Sequence, residues 1–243
     1  PGLGGIAPSQ GDYFQAVKGG GHGGYRLIVL APHSVQERYT LTMLAFDLAD
    51  KYRTPAMILG DAVVGQMKEP FVASPYDPAS TVEKPWALTG CVGRERQNLK
   101  SLHLKDNAIE VHNWKLHEKY ERIRKDETRA ESYMLDGATI GIVAFGTAAR
   151  VSKTAIQWAR KEGIAAGMLR PITLFPFPER EVFELAKTVD VLLVIEMNTG
   201  QMVEDVRQCT PLHDRIAFLG KPCVMPTPEE ILERIRLLAG RKG

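Results

Sequence analysis

Hydrophobic positions along the chain fall into short unbroken runs separated by helix-length amphipathic stretches. Leu27–Leu30 within RLIVLAP (26–32), AMILGD (56–61), TIGIVAFG (139–146), IAAGMLR (164–170), VLLVIE (191–196) and RIAFLG (215–220) are apolar runs of strand length. Such runs mark parallel strands buried on both faces. After the first run, Tyr39, Met43, Phe46 and Ala49 recur at helical spacing, and Pro55 ends the pattern. Ser34 with Glu37 three residues later reads as a capping box that opens this helix. Further helices are predicted over 148–161, 179–188, 201–208 and 228–238, with Gly163 as a stop and Pro228 as a start. Strand–helix–strand alternation implies right-handed parallel βαβ units and an α/β class. Ligands of such sheets sit beyond the carboxyl ends of the strands, here Ala31–Ser34 and Gly60–Gly65.

The middle of the chain has a different pattern. Pro70, Pro75, Pro78 and Pro85 come close together with few periodic apolar positions, which predicts a long extended connection from Phe71 to about Lys105. Asn107 to Ser132 then reads as a charged helix with one narrow stripe, Ile109, Leu116, Tyr120 and Ile123.

The 243 residues suit one large domain or two modest ones, and the formal charge of +2 is dispersed. That balance argues against a basic nucleic-acid face. No apolar run is long enough to span a bilayer. The cysteines, Cys91, Cys209 and Cys223, are far apart and form no CxxC pair. A cluster or zinc site carried by this chain is therefore not expected, and the compartment reads as reducing and cytoplasmic. No signal peptide is read, and the chain starts at Pro1, which suggests that residues upstream are missing from it.

Motif searches return few candidates. There is no GxSxG, HExxH or Walker loop. AFGTAAR (144–150) follows a strand and opens a helix, but it lacks the three-glycine dinucleotide fingerprint and the acidic residue at the next strand end. Glu196-Met197-Asn198-Thr199-Gly200-Gln201-Met202 ends the most apolar strand. With no His or Cys beside Glu196, it reads as a subunit interface built on Glu196, Asn198, Gln201 and Met202. His22, set between glycines, is a candidate acid or base. His112 and His117 are five apart, which does not place both on one helix face for a metal. The chain alone holds no self-sufficient active site.

The order of the residues carries more. PGLGGIAPSQGDYFQAVKGGGHGGYRLIVLAP, LAFDLADKYR, ILGD, KPWALTG, HNWKLHEKYE, AFGTAAR, LRPITLFPFP, GQMVEDVR and PTPEEIL, in that order, resemble the thiamine-pyrimidine subunit of 2-oxoacid:ferredoxin oxidoreductases. The nearest likeness is to the branched-chain, 3-methyl-2-oxobutanoate type. The resemblance implies an α/β fold in which a partial thiamine-diphosphate-binding parallel-sheet domain precedes a doubly wound domain like the transketolase carboxyl-terminal one. It places the pyrimidine-binding part over 1–70, an extended linker with a charged helix over 71–135 and the second domain over 136–243.

The same resemblance implies thiamine diphosphate and Mg shared with a partner subunit that carries the diphosphate motif. It also implies iron–sulfur clusters on partner subunits, and ferredoxin, coenzyme A and a 2-oxo acid as further partners. The cofactor-activating Glu and a substrate Arg are expected upstream of Pro1. The loop of Gly5, Ile6, Ala7, Gln10 and Asp12, with His22 beyond it, is expected to line the substrate and cofactor. Ile6 and Ala7 suit a branched aliphatic chain, because a carboxylate tail would need a cation or donor to offset its desolvation. Three alternatives remain: a 2-oxoglutarate or pyruvate oxidoreductase, a scaffold or nucleotide-binding module built on AFGTAAR, and a transketolase-like transferase.

Overall fold

The computed structural model describes residue 5, residues 7–74 and residues 82–240. Ile6, Pro75 and Pro78 lie outside the described residues. The first segment comprises α1 (Tyr13–Lys18), β1 (Ile28–Leu30), α2 (Val35–Tyr52), β2 (Ala56–Ile58) and α3 (Ala62–Gln66). The long α4 (Ala108–Glu127) follows. Then come β3 (Ala130–Tyr133), β4 (Ile140–Val143), α5 (Gly146–Lys161), β5 (Ala166–Pro171), β6 (Thr173–Phe175), α6 (Glu179–Thr188), β7 (Val191–Glu196), α7 (Met202–Gln208), β8 (Ile216–Gly220) and α8 (Pro228–Ala239).

These strands form two sheets. The larger has the order β3-β5-β4-β7-β8, parallel throughout except for β3, which runs antiparallel to β5. Side-chain alternation divides its core in two. Ile140, Ile142, Leu193 and Ile195 pack with α5 and α8, while Val143, Leu192 and Val194 face the α6–α7 side. Burial on both faces is why these strands read as unbroken apolar runs. Gly167 lets β5 pass the 134–135 backbone, since a Cβ there would lie 2.3 Å from Met134 O.

The smaller sheet has the order β2-β1-β6. β1 and β2 are parallel, as the βαβ pattern predicts. The third strand is unexpected. Pro171 read as a breaker, yet the chain pairs through it with Ala130 and then turns at Ile172 into β6, antiparallel to β1. Ile172 O accepts from Ala31 N at 2.8 Å. One continuous segment, β5–β6, therefore stitches the two sheets together.

Three local expectations are corrected. In α2 the buried face is Leu41, Ala45, Leu48 and Tyr52, and Phe46 is exposed. Two stripes compete at helical spacing, and the one facing β1 is buried. The capping box is half made: Ser34 Oγ accepts from Glu37 N, but the Glu37 carboxylate turns to His33 and Arg170. The charged helix ends at Glu127 rather than Ser132, because residues 130–133 pair with β5. Only its last turns pack on the core, with Ile123 buried and Ile109 exposed.

The halves are also joined by charge. Arg170 of β5 is 1% exposed and reaches Glu37 at 2.6 and 3.0 Å and Glu131 at 2.6 Å. Lys153 of α5 donates to Glu131 at 2.6 Å and lies 3.2 Å from His33 Nε2. His33 Nδ1 in turn lies 2.7 Å from Glu37 Oε2. Burial alone would raise the Glu37 pKa. The His33 bond and the Arg170 guanidinium outweigh it and lower the value from the ordinary 4.5 to about 2.

Because the folded value lies below the unfolded one, ionised Glu37 stabilises the fold above about pH 4.5, and that contribution fades as pH falls toward 2. Discounted for partial exposure, it is on the order of 2 kcal/mol. In urea melts from pH 7 to pH 2.5, Glu37→Gln is expected to lower stability at pH 7 and to flatten the acid loss. An acid loss as steep as that of the unsubstituted chain would remove Glu37 from the account.

Candidate functional site

The loop before α1 and the carboxyl ends of β1 and β2 meet the carboxyl ends of β4 and β7. Gln10, 5% exposed, is the hinge of this junction. Its backbone N donates to Met197 O at 3.0 Å, and its backbone O accepts from Asn198 Nδ2 at 3.0 Å. Its side-chain Nε2 donates to Phe145 O at 2.9 Å, and Oε1 accepts from Met197 N at 2.9 Å. A two-faced amide suits this position because it satisfies a buried carbonyl and a buried N–H at once.

Glu196, the last residue of β7, is fully buried. Its Oε2 accepts from Met202 N at 2.8 Å and Asn198 Nδ2 at 2.9 Å, and its Oε1 accepts from Val203 N at 2.9 Å. Burial raises its pKa, and the bonds from Met202 N, Asn198 and Val203 N oppose that rise. The carboxylate thus serves the open amides at the start of α7 and fixes Asn198, which in turn holds Gln10. Gln201 adds a second clamp, donating to Gly11 O and accepting from Phe14 N, both at 2.8 Å.

A second carboxylate ties the other strand ends together. Asp61 caps α3 through Val63 N and Val64 N, and also accepts from Thr147 Oγ1 at 2.6 Å and Thr147 N at 3.1 Å. Gly146, at φ +55°, sits between the two clusters. A Cβ there would lie 3.0 Å from Gln10 Nε2 and 3.1 Å from Asp61 Oδ2. The AFGTAAR turn therefore already holds a carboxylate of its own chain where a nucleotide phosphate would bind. Nearby, Arg150 donates to His33 O and pairs with Glu69, whose carboxylate also accepts from Val35 N. The bond from Val35 N, joined by Arg150, lowers the Glu69 pKa against the opposing effect of burial.

The structure brings two groups of the expected site residues together. Gln10, expected to line a ligand, bonds Asn198, which Glu196 holds together with Met202 N, and Gln201 bonds the neighbouring Gly11; these four were expected at a subunit surface. Glu196, Asn198 and Met202 are already buried within the single chain, so their contact joins segments of one chain, and only Gln201 reaches the surface. The other expected residues stand apart on the outer side. Gly5, Asp12 and His22 are exposed, Ala7 is half-buried, and Ile6 lies outside the described residues. Asp12 precedes α1 without a capping bond from its side chain.

Sequence reading marked the 60–65 strand end and the AFGTAAR turn, but it missed that Asp61 and Thr147 bond each other across Gly146, and it missed Arg170. Asp61 at the end of an apolar run and before a helix start was the available signal. Arg170, a cation inside a buried run, was another. Among the described residues, no group of three or more His, Cys, Asp or Glu is placed to hold a metal. Asp61 and Glu196 are both saturated by donors of their own chain. No helix is long and apolar enough to cross a membrane, among the described residues.

Gln10→Ala leaves Met197 N unpaired in the interior and takes one of two donors from Phe145 O, which keeps its bond from Ala149 N. It is expected to cost about 1–3 kcal/mol in urea melts and to speed deuterium exchange of residues 7–18. Unchanged exchange there would show that the loop is held by other contacts. Gly146→Ala adds a methyl group at positive φ against two fixed side chains. It is expected to cost at least about 2 kcal/mol, and a melt within 0.5 kcal/mol of the unsubstituted chain would refute the packing argument.

Comparison with known proteins adds the family. Residues 3–135 match the thiamine-diphosphate-binding domain of pyruvate flavodoxin/ferredoxin oxidoreductases, and residues 138–230 match core domain II of pyruvate:ferredoxin oxidoreductase. The ketoisovalerate oxidoreductase subunit VorB of Methanothermobacter thermautotrophicus is 45% identical over 240 residues, covering 99% of this chain and 68% of VorB. The 2-oxoglutarate synthase subunit KorA of Archaeoglobus fulgidus is 34% identical, covering 93% of this chain and 65% of KorA. A solved 2-oxoglutarate:ferredoxin oxidoreductase from Magnetococcus marinus superposes with TM-score 0.76 at 21% identity, over 96% of this chain and 46% of that one, and shares the fold. The chain thus spans about two thirds of these curated relatives and under half of the solved chain. With its two domains matched in order and 45% identity along nearly its whole length, the chain belongs to the 2-oxoacid:ferredoxin oxidoreductase family.

Proposed function

We propose that this chain is the pyrimidine-side subunit of a cytoplasmic, ferredoxin-dependent oxidoreductase. Its reaction is the oxidative decarboxylation of 3-methyl-2-oxobutanoate to CO2 and an acyl-coenzyme A. The observation that carries the reading is the gap in identity between the ketoisovalerate relative, at 45%, and the 2-oxoglutarate relative, at 34%. The Ile6-Ala7 pair supports it in chemical terms, since neither side chain offers a partner to a second carboxylate. An apolar pocket distinguishes aliphatic neighbours by only about 1–3 kcal/mol, so straight-chain 2-oxo acids also react, more slowly.

Thiamine diphosphate, when bound, supplies the electron sink for the decarboxylation. In this reading it lies between subunits, with Mg and the iron–sulfur clusters held by partners. The share of this chain is the loop before α1: Gly5, Ala7 and Asp12, with Ile6 by its place in the sequence, line the substrate and cofactor, and His22 lies beyond them. Gln10 positions that wall from behind, through Phe145, Met197 and Asn198. Residues 1–70 form the pyrimidine-side part, 71–135 the linker and 136–243 the domain that braces it.

The test is anoxic dye or ferredoxin reduction by the assembled complex with thiamine diphosphate, Mg and coenzyme A. 3-Methyl-2-oxobutanoate is expected to give the highest kcat/KM, at least tenfold above 2-oxoglutarate. Equal rates, or a preference for 2-oxoglutarate, would sink the substrate assignment and its Ile6-Ala7 argument.

A further inference from the structure

Charged groups from five segments crowd the turn between β1 and α2, with His33 among them. Glu37 comes from α2, Glu69 from the segment after α3, Glu131 from β3, Arg170 from β5, and Arg150 and Lys153 from α5. Three carboxylates thus balance three cations. Arg38, next to Glu37 in α2, turns away to Val64 O and Gly65 O. Burial works against the charge on Glu37 and Glu131, but their basic neighbours outweigh it, and the bond from Val35 N holds Glu69 down; all three carboxyls ionise below their ordinary range. The carboxylates therefore stay charged between pH 5 and 8, which is the ordinary titration range of an imidazole.

His33 reaches both sides of the junction. Its Nδ1 lies 2.7 Å from Glu37 Oε2 in the first segment, and its Nε2 lies 3.2 Å from Lys153 Nζ on α5. Its backbone O accepts from Arg150 Nη1, one turn earlier on α5, at 3.3 Å. The side chain is 16% exposed, so protons reach it from solvent.

The Lys153 contact is selective for one charge state of the ring. An ammonium only donates, so the facing ring nitrogen must be bare to accept from it. A proton on that nitrogen sets donor against donor and cation against cation. Lys153 then keeps Glu131 at 2.6 Å, and the Tyr133 ring beneath it at 5.2 Å. The separated arrangement holds one more proton than the joined one, so falling pH favours separation. What Lys153 lets go of matters for the site, because α5 begins at the Gln10 junction. Gln10 Nε2 binds the carbonyl of Phe145, which caps α5, and Thr147 in the first turn binds Asp61. Lys153 follows less than two turns later.

We propose that His33 is a positioning residue for the wall that Gln10 holds: with a bare Nε2 it clamps the β1–α2 turn to α5 through Lys153, and on protonation it releases α5. Acid thereby loosens the start of α5 and the seat of the loop before α1. The clamp stands on the contacts of this chain, and only its effect on turnover rests on the functional reading.

The test is amide exchange in the assembled complex at pH 7.5 and pH 5.5, each rate divided by the intrinsic amide rate at that pH. Peptides over 31–37 and 145–154 are expected to open roughly fivefold more at pH 5.5, as for the loss of one modest hydrogen bond. His33→Gln has no titrating ring, and its change is expected to stay below about twofold on the same scale. Lys153→Met removes the other half of the clamp and is expected to exchange at pH 7.5 as fast as the unsubstituted chain does at pH 5.5. An unsubstituted chain that does not respond to acid would overturn the proposal, as would a His33→Gln chain that responds equally. Where His33→Gln does not assemble, a Lys153→Met chain with the full acid response overturns it. In oxo-acid oxidation, kcat/KM of the unsubstituted complex is expected to fall more steeply between pH 7.5 and 5.5 than that of the His33→Gln complex. Equal acid limbs in two complexes that both turn over would remove the positioning role. A complex with the His33-dependent exchange difference and no oxo-acid oxidation sinks the functional reading alone, and one that oxidises oxo acids with exchange indifferent to His33 sinks this inference alone.

Discussion

Everything at the junction depends on keeping Arg170 buried. A guanidinium with 1% exposure is tolerated only where carboxylates meet it, and Glu37 and Glu131 do so from two different elements. Glu37 opens α2 in the first segment, and Glu131 lies on β3 beside Arg170 itself. The ion cluster therefore fixes the first sheet at a set height above the second. A hydrophobic contact of the same area would allow sliding, but a bidentate arginine allows little. The polypeptide reinforces the tie, because β5 leaves one sheet and enters the other as β6 only two residues later.

Given that frame, the Gln10 junction follows. The loop before α1 has few apolar anchors of its own, so it is held by hydrogen bonds to backbone at the ends of β4 and β7. Those acceptors and donors are available because the strands end there and their last groups have no ladder partner. Glu196 then makes the arrangement rigid, using one buried carboxylate to start α7 and to aim Asn198. Asp61 does the same for α3 and α5. Two saturated carboxylates thus stand behind a loop whose outer side is open, and they hold its rear face in place.

The larger sheet was legible in the sequence because its strands are buried on both faces, which leaves unbroken runs such as VLLVIE. β3 and β6 were not. β3 is an edge strand, partly exposed, whose residues Ala130-Glu131-Ser132-Tyr133 continue the charged pattern of α4. β6 is three residues long and hidden between Pro171 and Pro176, so its pairing with β1 depends on contacts distant in sequence. The buried face of α2 was misread for a similar reason: Phe46 and Leu48 stand on competing stripes, and only the position of β1 decides between them. The junction was half legible. Gln10 and Glu196 were singled out for chemistry or assembly, yet what joins them is backbone geometry, which no spacing of residue types records.

The contrast between the two ends of the molecule is itself informative. Around Gln10 and Arg170 nearly every polar group has a partner and the side chains are held. Along 88–114 the large apolar side chains Leu88, Val92, Leu99, Leu102 and Leu104 are exposed and the backbone bonds only locally. A sequence selected only to fold alone would not maintain both, since exposed leucines offer the monomer nothing and invite aggregation. A sequence selected to present a fixed wall on one side and to be gripped on another would keep both. The rigid junction limits how far the loop before α1 can move. The division of labour between polar saturation inside and apolar exposure outside is therefore the physical signature of a subunit.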